Sequence, residues 1–191
     1  WASGVDGQLS VFTAIAALVV DLLSLRFSGD ITQWPVTILA SITFGAFLGF
    51  LPWHVYPQKI MPGFGGATLA GFMLAVLSIL ATAKVGTLLV VLAIPVADAG
   101  YAITRRVLSG KSPVWGDKGH LHHKLLDAGF SKKKIAAFYW AATAFLGILA
   151  LNLNAQAKFY TIVGIVLVVG GSLLWINKLL QSSRRQDRGS G

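Results

Sequence analysis

Cysteine and glutamate are both absent from this chain of 191 residues. Without cysteine, neither a disulfide bond nor a thiolate metal site can form. All seven acidic residues are aspartates, and they face sixteen lysines and arginines, so the formal net charge is +9. Charged residues make up only 12% of the chain, roughly half the share that is usual in a soluble domain. This scarcity of charge argues against a soluble protein and directs attention to the apolar segments.

Hydrophobic residues make up 55% of the chain and come in long runs. A helix needs roughly 20 apolar residues to cross a bilayer. Six stretches meet that length, so the sequence predicts an all-α polytopic membrane protein of about six transmembrane helices, at about 8–27, 35–53, 65–82, 85–106, 133–152 and 158–180. We predict a single transmembrane domain over 1–182 with a His-rich loop at 107–132, followed by a basic tail at 183–191.

The distribution of basic residues predicts which side of the membrane each loop occupies. Eight of the sixteen lie between Arg105 and Lys134, and four more lie near the C-terminus, at Lys178, Arg184, Arg185 and Arg188. Because short cytoplasmic loops are enriched in Lys and Arg, we expect this loop and the tail to be cytoplasmic, in a multi-pass protein of the plasma (inner) membrane. Counting spans backwards places the 54–64 loop and the N-terminal segment on the same face.

Two aspartates fall inside predicted spans, Asp21 in the first and Asp98 in the fourth. A charge near mid-membrane costs roughly 2.5–3.5 kcal/mol on insertion scales, so each needs a structural hydrogen bond or a function. Asp21 has no polar neighbour in the sequence, which favours the structural interpretation. Asp98 is followed after two helical turns by Arg105 and then Arg106, which favours a functional one. His54, beside a tryptophan, is predicted to lie at the membrane interface.

The loop after the fourth span holds three of the chain's four histidines: His120, His122 and His123. A zinc site is conceivable, but the spacing matches no common zinc signature. Phosphate chemistry fits better, because Lys and Arg neutralise phosphate oxygens and histidine moves protons near neutral pH. Asp117 suits the N-cap of a helix that would carry these histidines. The alternative is a solvated basic loop at an anionic membrane surface.

Two further segments are individually ambiguous. "GVDGQ", which contains Asp6, is by itself a turn signal. "PQKIMPGFGGATLAGF" at 57–72 is a Gly-rich start of a span, which is typical of close helix packing and equally allows the backbone to approach a phosphate.

Together these segments resemble the polyprenyl-phosphate N-acetylhexosamine-1-phosphate transferases, the MraY/WecA-like membrane enzymes of glycosyl transferase family 4. The loop carries the most specific match, to a pattern P-x-x-D, R-R, then G-x-S-P-x-x-x-D-x-x-H-[LI]-H-H-x-L. The matching residues are Pro95, Asp98, Arg105, Arg106, Gly110, Ser112, Pro113, Asp117, His120, His122, His123 and Leu125. "GVDGQ" and the 57–72 segment resemble two other family motifs, and the chain is similar to the C-terminal part of such an enzyme.

The resemblance implies transfer of a sugar 1-phosphate, N-acetylhexosamine 1-phosphate by expectation, from a UDP-sugar to polyprenyl phosphate, with release of UMP and use of Mg²⁺, in cell-envelope glycan or peptidoglycan synthesis. It allows a homodimer and gives no reason to expect nucleic acid. It leaves the metal ligands unknown. It implies a catalytic set, which is Asp98, His120, His122 and His123. It also implies a substrate-binding set, which is Asp6, Arg105, Arg106, Asp117 and Lys118.

Two positions depart from the family motifs. Ser3 and Phe64 each stand where the family has an aspartate, and in the family the second of these binds magnesium. A phenylalanine cannot ligate a metal, so an alternative hypothesis is a degenerate, non-catalytic relative that binds nucleotide sugar or polyprenyl phosphate. A second alternative is a transporter in which Asp21 and Asp98 form a pathway.

Overall fold

The computed structural model describes residues 7–81, 85–110, 125–126 and 129–189. Every regular element within them is a helix, as the sequence predicts. The helices, in chain order, are α1 Gln8–Leu25, a short 3₁₀ helix Ile31–Gln33, α2 Trp34–His54, α3 Gly63–Leu80, α4 Val85–Val91, α5 Ala93–Leu108, α6 Lys132–Asn152 and α7 Ala155–Gly189. The last helix therefore continues past residue 182, where we predicted the transmembrane domain to end.

Five helices of the described chain are each long and apolar enough to cross a membrane: α1, α2, α3, α6 and the first part of α7. The stretch 85–106 instead forms two helices, α4 and α5, bent by 80° relative to each other. The predicted span is therefore broken near its middle, and the pair makes a sixth crossing if both helices belong to one span. Pro95 explains the break, because it has no N–H for the carbonyl of Val91 and its ring would clash with that carbonyl in a continuous helix. Leu92, at φ −96° and ψ 12°, forms the corner.

Helix α1 lies at the centre of the fold and contacts α2, α3, α4 and α6. Of its 18 residues, 13 are buried. The outer helices instead expose large apolar side chains, such as Ile79 (76%), Phe145 (64%) and Leu167 (70%). A helix that is apolar all round suits burial in protein or lipid, so the central helix is enclosed by protein while the outer ones present their faces to the bilayer.

Contacts between helix ends show which ends of the bundle coincide. At one end, the side chain of Arg26 donates to the carbonyl of Leu151 (2.7 Å), so the ends of α1 and α6 meet. At the opposite end of α1, Gly7 lies against Trp140 of α6 and Val55, the residue after α2. The start of α1, the end of α2 and the first half of α6 therefore share one end of the bundle, which we call the α1 N-terminal end.

Candidate active site

Two charged residues of α5, Asp98 and Arg106, lie on its buried face. Asp98 is 7% exposed and Arg106 is 4% exposed. With Ile94 and Ala102, which are also buried, they follow one another at intervals of four residues, the spacing of a helix packing ridge. Arg105, which the sequence places two turns after Asp98, is half-buried and less enclosed than Arg106.

Tyr139 of α6 brings the Asp98 region into contact with the central helix. Tyr139 is only 1% exposed and belongs to the same buried cluster as Ile94 and Ala97 of α5. The Tyr139 ring meets Phe12 of α1 edge-on, with 6.0 Å between ring centroids. Nothing in the sequence motifs indicated Tyr139, because its role depends on packing between helices that are distant in the chain.

An apolar cavity of about 670 Å³ adjoins this polar region. Ile94, one helical turn before Asp98, is part of its wall, and Leu125, two residues after His123, is another part. Side chains of α6 and α7 form the rest: Phe138, Ala142, Phe145, Leu146, Thr161, Gly164, Ile165, Val168, Val169 and Ser172. The cavity therefore offers hydrocarbon-like surroundings, and its wall at Ile94 lies one helical turn from Asp98.

His54 is the last residue of the apolar span of α2, at the level predicted for an interfacial residue, but its side chain is fully buried in the protein. Its Nδ1 lies 2.7 Å from the hydroxyl of Ser10, which is 1% exposed. The bond joins the end of α2 to the first turn of α1. The neighbouring Trp53 is 48% exposed, so the two adjacent side chains face opposite ways.

We expect Ser10→Ala to destabilise the protein by about 1–3 kcal/mol, because a buried imidazole nitrogen loses its hydroxyl partner. Thermal unfolding in detergent measures the loss. Ser78→Ala is the matched control, since Ser78 is only partly buried and its hydroxyl donates to the carbonyl of Ala75 in its own helix. Equal melting temperatures for the two variants would contradict a stabilising role for the Ser10–His54 bond.

Asp21 lies deep in α1 and is partly buried, with one carboxylate oxygen enclosed and without a hydrogen-bond partner. It follows Phe12 by nine residues, which is roughly 13 Å along the helix. A carboxylate oxygen enclosed in this way costs free energy unless a partner satisfies it.

The remaining site residues predicted from the sequence lie outside the described residues: Asp6, Asp117, Lys118, His120, His122 and His123. Gly7 and Leu125, which border these segments, are described. Of the predicted set, the structure thus places Asp98, Arg105 and Arg106, and it puts all three on α5. Phe64, at the start of α3, is 89% exposed.

A magnesium site is not assembled by the part of the chain that the structure describes. No three His or Asp side chains in it come together as a metal-binding group. Asp30, for example, is used structurally: its carboxylate accepts hydrogen bonds from the N–H (2.9 Å) and hydroxyl (2.7 Å) of Thr32. The described residues therefore do not by themselves fit Mg²⁺.

Comparison with known proteins identifies the family. Residues 2–82 match the family model described as glycosyl transferase family 4. The chain belongs to glycosyl transferase family 4. The region matched by this family-4 model contains Asp6, α1, α2 and the 57–72 segment, whereas the His-rich loop lies beyond it.

Curated proteins similar to this family-4 chain carry closely related names. The decaprenyl-phosphate N-acetylglucosaminephosphotransferase of Mycolicibacterium smegmatis is 29% identical over 87% of this chain and 47% of its own length. The probable undecaprenyl-phosphate N-acetylglucosaminyl 1-phosphate transferase of Bacillus subtilis is 30% identical over 68% of the chain and 37% of its own length. The undecaprenyl-phosphate alpha-N-acetylglucosaminyl 1-phosphate transferase of Escherichia coli is 29% identical over 77% of the chain and 42% of its own length. The chain thus spans about half the length of the curated relatives it matches.

Proposed function

We propose that this protein transfers a sugar 1-phosphate, by expectation N-acetylhexosamine 1-phosphate, from a UDP-sugar to membrane polyprenyl phosphate and releases UMP. The names of the relatives support this class of reaction. The observation that carries the proposal is that Ile94, which lines the apolar cavity, lies on the same buried face of α5 as Asp98 and Arg106. A polyprenyl phosphate needs such an arrangement, because its phosphate is charged and its chain is hydrocarbon.

The proposed reaction is a phosphoryl transfer. An oxygen of the lipid phosphate attacks the β-phosphorus of the UDP-sugar, and the bond from that phosphorus to the bridging oxygen breaks. The sugar keeps the β-phosphate and UMP leaves. Such reactions depend mainly on positioning and on stabilisation of charge. Arg105 and Arg106 suit this role because the guanidinium group binds phosphate oxygens in a bidentate manner.

We assign the other predicted residues by resemblance to the family. Asp98, His120, His122 and His123 form the proposed catalytic set, with histidines able to supply a proton to the departing UMP. Asp6, Asp117 and Lys118 join the two arginines in binding substrate. Mg²⁺ remains the cofactor that the family implies, but no step is assigned to it, because the described residues do not form a ligand group.

We further propose that the α1 N-terminal end of the bundle faces the cytoplasm, in the plasma membrane. UDP-sugars are cytoplasmic, and the basic residues predicted to be cytoplasmic include Lys132, Lys133 and Lys134 at the start of α6, which begins at this end. A cluster of positive charge there also attracts anionic substrates.

Transfer of label from UDP-sugar to lipid tests the proposed function. The purified full-length protein is incubated with polyprenyl phosphate, Mg²⁺ and a panel of radiolabelled UDP-sugars, and label in the lipid phase is counted. We expect one donor to give labelled lipid, and we expect His123→Ala or removal of the metal by a chelator to abolish it.

A second candidate is a relative that binds its ligands without turnover, and the exposed Phe64 at a position where the family has an aspartate favours it. No label with any donor, from folded protein that still binds UDP-sugar, would overturn the transferase in favour of this binding protein. Partial gain of metal dependence in Phe64→Asp would point the same way.

A further inference from the structure

A small cavity of about 180 Å³ lies at the α1 N-terminal end of the bundle, apart from the large apolar cavity. It is formed between the segment that follows α2 and the first turns of α6. Its walls are Val55, Tyr56, Lys132, Lys133, Ala136, Ala137 and Trp140. Lysines and a tyrosine thus form one part of this cavity, and apolar side chains form the other.

The positive charge at this cavity has no compensating carboxylate in the described part of the chain. Lys132, Lys133 and Lys134 are the first three residues of α6, and its first turn contains no acidic residue. The N-terminus of a helix is itself the positive end of the helix dipole. Three adjacent lysines at that position repel both the dipole and one another, and an anion bound beside them would relieve the repulsion.

Lys133 already has a fixed position. Its Nζ lies 4.9 Å from the centre of the Tyr56 ring, a cation–π contact. Tyr56 is 49% exposed, so this contact lies at the rim of the cavity. A cationic group held at the rim, above an apolar interior, suits a ligand whose charged end is outside and whose apolar end is inside.

The depth of the cavity in the membrane narrows the choice of ligand. The span of α6 begins at Lys132 and that of α2 ends at His54, so the cavity lies where the hydrocarbon region meets the aqueous phase. Tyr and Trp are also the aromatic residues that favour this boundary. A soluble anion has no apolar part to contact the alanine and tryptophan side chains of the cavity. A phospholipid presents both a phosphate and a glycerol–acyl region at this depth.

We propose that the cavity between Tyr56, Lys133 and Trp140 is a specific site for the headgroup of an anionic phospholipid of the surrounding membrane. Lys132 and Lys133 bind the phosphate, and Ala136, Ala137 and Trp140 contact the glycerol and upper acyl region. This ligand is distinct from either substrate of the proposed transfer reaction. The site joins the end of α2 to the start of α6, so lipid binding there also stabilises this end of the bundle.

Native mass spectrometry of the full-length protein, titrated with phosphatidylglycerol or phosphatidylcholine, tests this site without requiring turnover. Wild-type protein should bind phosphatidylglycerol in preference to phosphatidylcholine. The double variant Lys132→Gln/Lys133→Gln should bind phosphatidylglycerol about tenfold more weakly, because each lysine near an anionic membrane surface contributes appreciably to attraction. Tyr56→Leu should weaken binding by about threefold, through loss of the cation–π contact.

The matched control is Lys59→Gln/Lys134→Gln, which removes the same two charges from exposed positions that do not line the cavity. If both double variants weakened phosphatidylglycerol binding equally, the proposal would be overturned. The lysines would then act only as part of a general basic surface. Equal binding of the two lipids by wild-type protein would overturn it as well. Displacement of phosphatidylglycerol by polyprenyl phosphate, with a raised KM for polyprenyl phosphate in Lys132→Gln/Lys133→Gln, would also overturn it and make the cavity a substrate site.

Discussion

Asp98→Asn should lower the rate of sugar 1-phosphate transfer by the full-length protein by about 10- to 100-fold. The substitution keeps the shape of the side chain and removes its negative charge from a position that is 7% exposed. Interactions of a charged group of this kind contribute roughly 1.5–3 kcal/mol, and about 1.4 kcal/mol corresponds to tenfold in rate. The negative charge is removed from the same face of α5 that holds the buried Arg106, one of the proposed phosphate-binding groups.

The measurement is the initial rate of label transfer to lipid, together with UDP-sugar binding and thermal unfolding of the same preparation. Asp30→Asn is the matched control, because Asp30 is exposed in the connection between α1 and α2 and its carboxylate accepts hydrogen bonds from Thr32. A fully active Asp98→Asn protein would remove Asp98 from the catalytic set. A variant that fails to fold is distinguished by its melting temperature, and Asp98→Glu then tests whether the charge alone restores activity.

Gly7→Ala should destabilise the protein by roughly 2–5 kcal/mol. Gly7 has φ +81°, a left-handed conformation that costs a residue with a Cβ about 1–2 kcal/mol. The added Cβ would also lie 2.8 Å from the Trp140 ring and 3.3 Å from Val55, and overpacking of this kind costs about 1–3 kcal/mol. Both effects act at the first turn of α1, where the carbonyl of Gly7 accepts the hydrogen bond from the N–H of Val11 (3.0 Å).

Thermal unfolding in detergent measures this loss, and Gly49→Ala is its control. Gly49 lies within α2, with no atom within 4 Å of an added Cβ, so alanine there should be neutral or stabilise by about 0.5–1 kcal/mol. Gly7→Ala combined with Trp140→Phe should be less destabilised than the sum of the two single variants, because the smaller ring relieves the close contact while the backbone cost remains. A melting temperature of Gly7→Ala equal to that of wild-type protein would contradict the conformation assigned to Gly7.

Much of the architecture was predictable because it depends on local composition. The long apolar runs predicted α1, α2, α3, α6 and the first part of α7 to within a few residues, since a bilayer accepts only segments whose backbone groups bond within themselves. Ser131 before α6 is a cap of the usual kind, accepting a hydrogen bond from the N–H of Lys134. These features require no knowledge of distant residues.

The break at Leu92 was less accessible from the sequence. Hydropathy over 85–106 is continuous, so the stretch satisfied the test for one span. Pro95 was visible in the sequence, but proline is tolerated within transmembrane helices when neighbouring groups satisfy the freed carbonyl. Proline alone therefore did not predict whether the chain would bend, and the tertiary structure shows a bend of 80° there.

The candidate site was predictable as a set of residue types and not as an arrangement. Motif spacing selected Asp98, Arg105 and Arg106 as candidates, because chemistry demands particular side chains at particular intervals. It could not show that Tyr139 packs on Phe12 or that His54 is buried against Ser10, since these contacts join residues 127 and 44 positions apart. Which arginine is buried likewise depends on the face that α5 turns to its neighbours.

The amino-acid sequence alone therefore determined the helical membrane class and the resemblance to a phosphotransferase family. It also determined the number of apolar segments, although it did not show that the segment 85–106 is broken. Those properties arise from composition, hydropathy and the types of residue in short motifs, all of which are local. The tertiary structure decided which polar groups are buried together, where the fourth predicted span bends, and which cavities adjoin the charged residues. Those properties arise from packing between helices that are far apart in the chain, where a rotation or an axial shift of a helix changes which side chains meet.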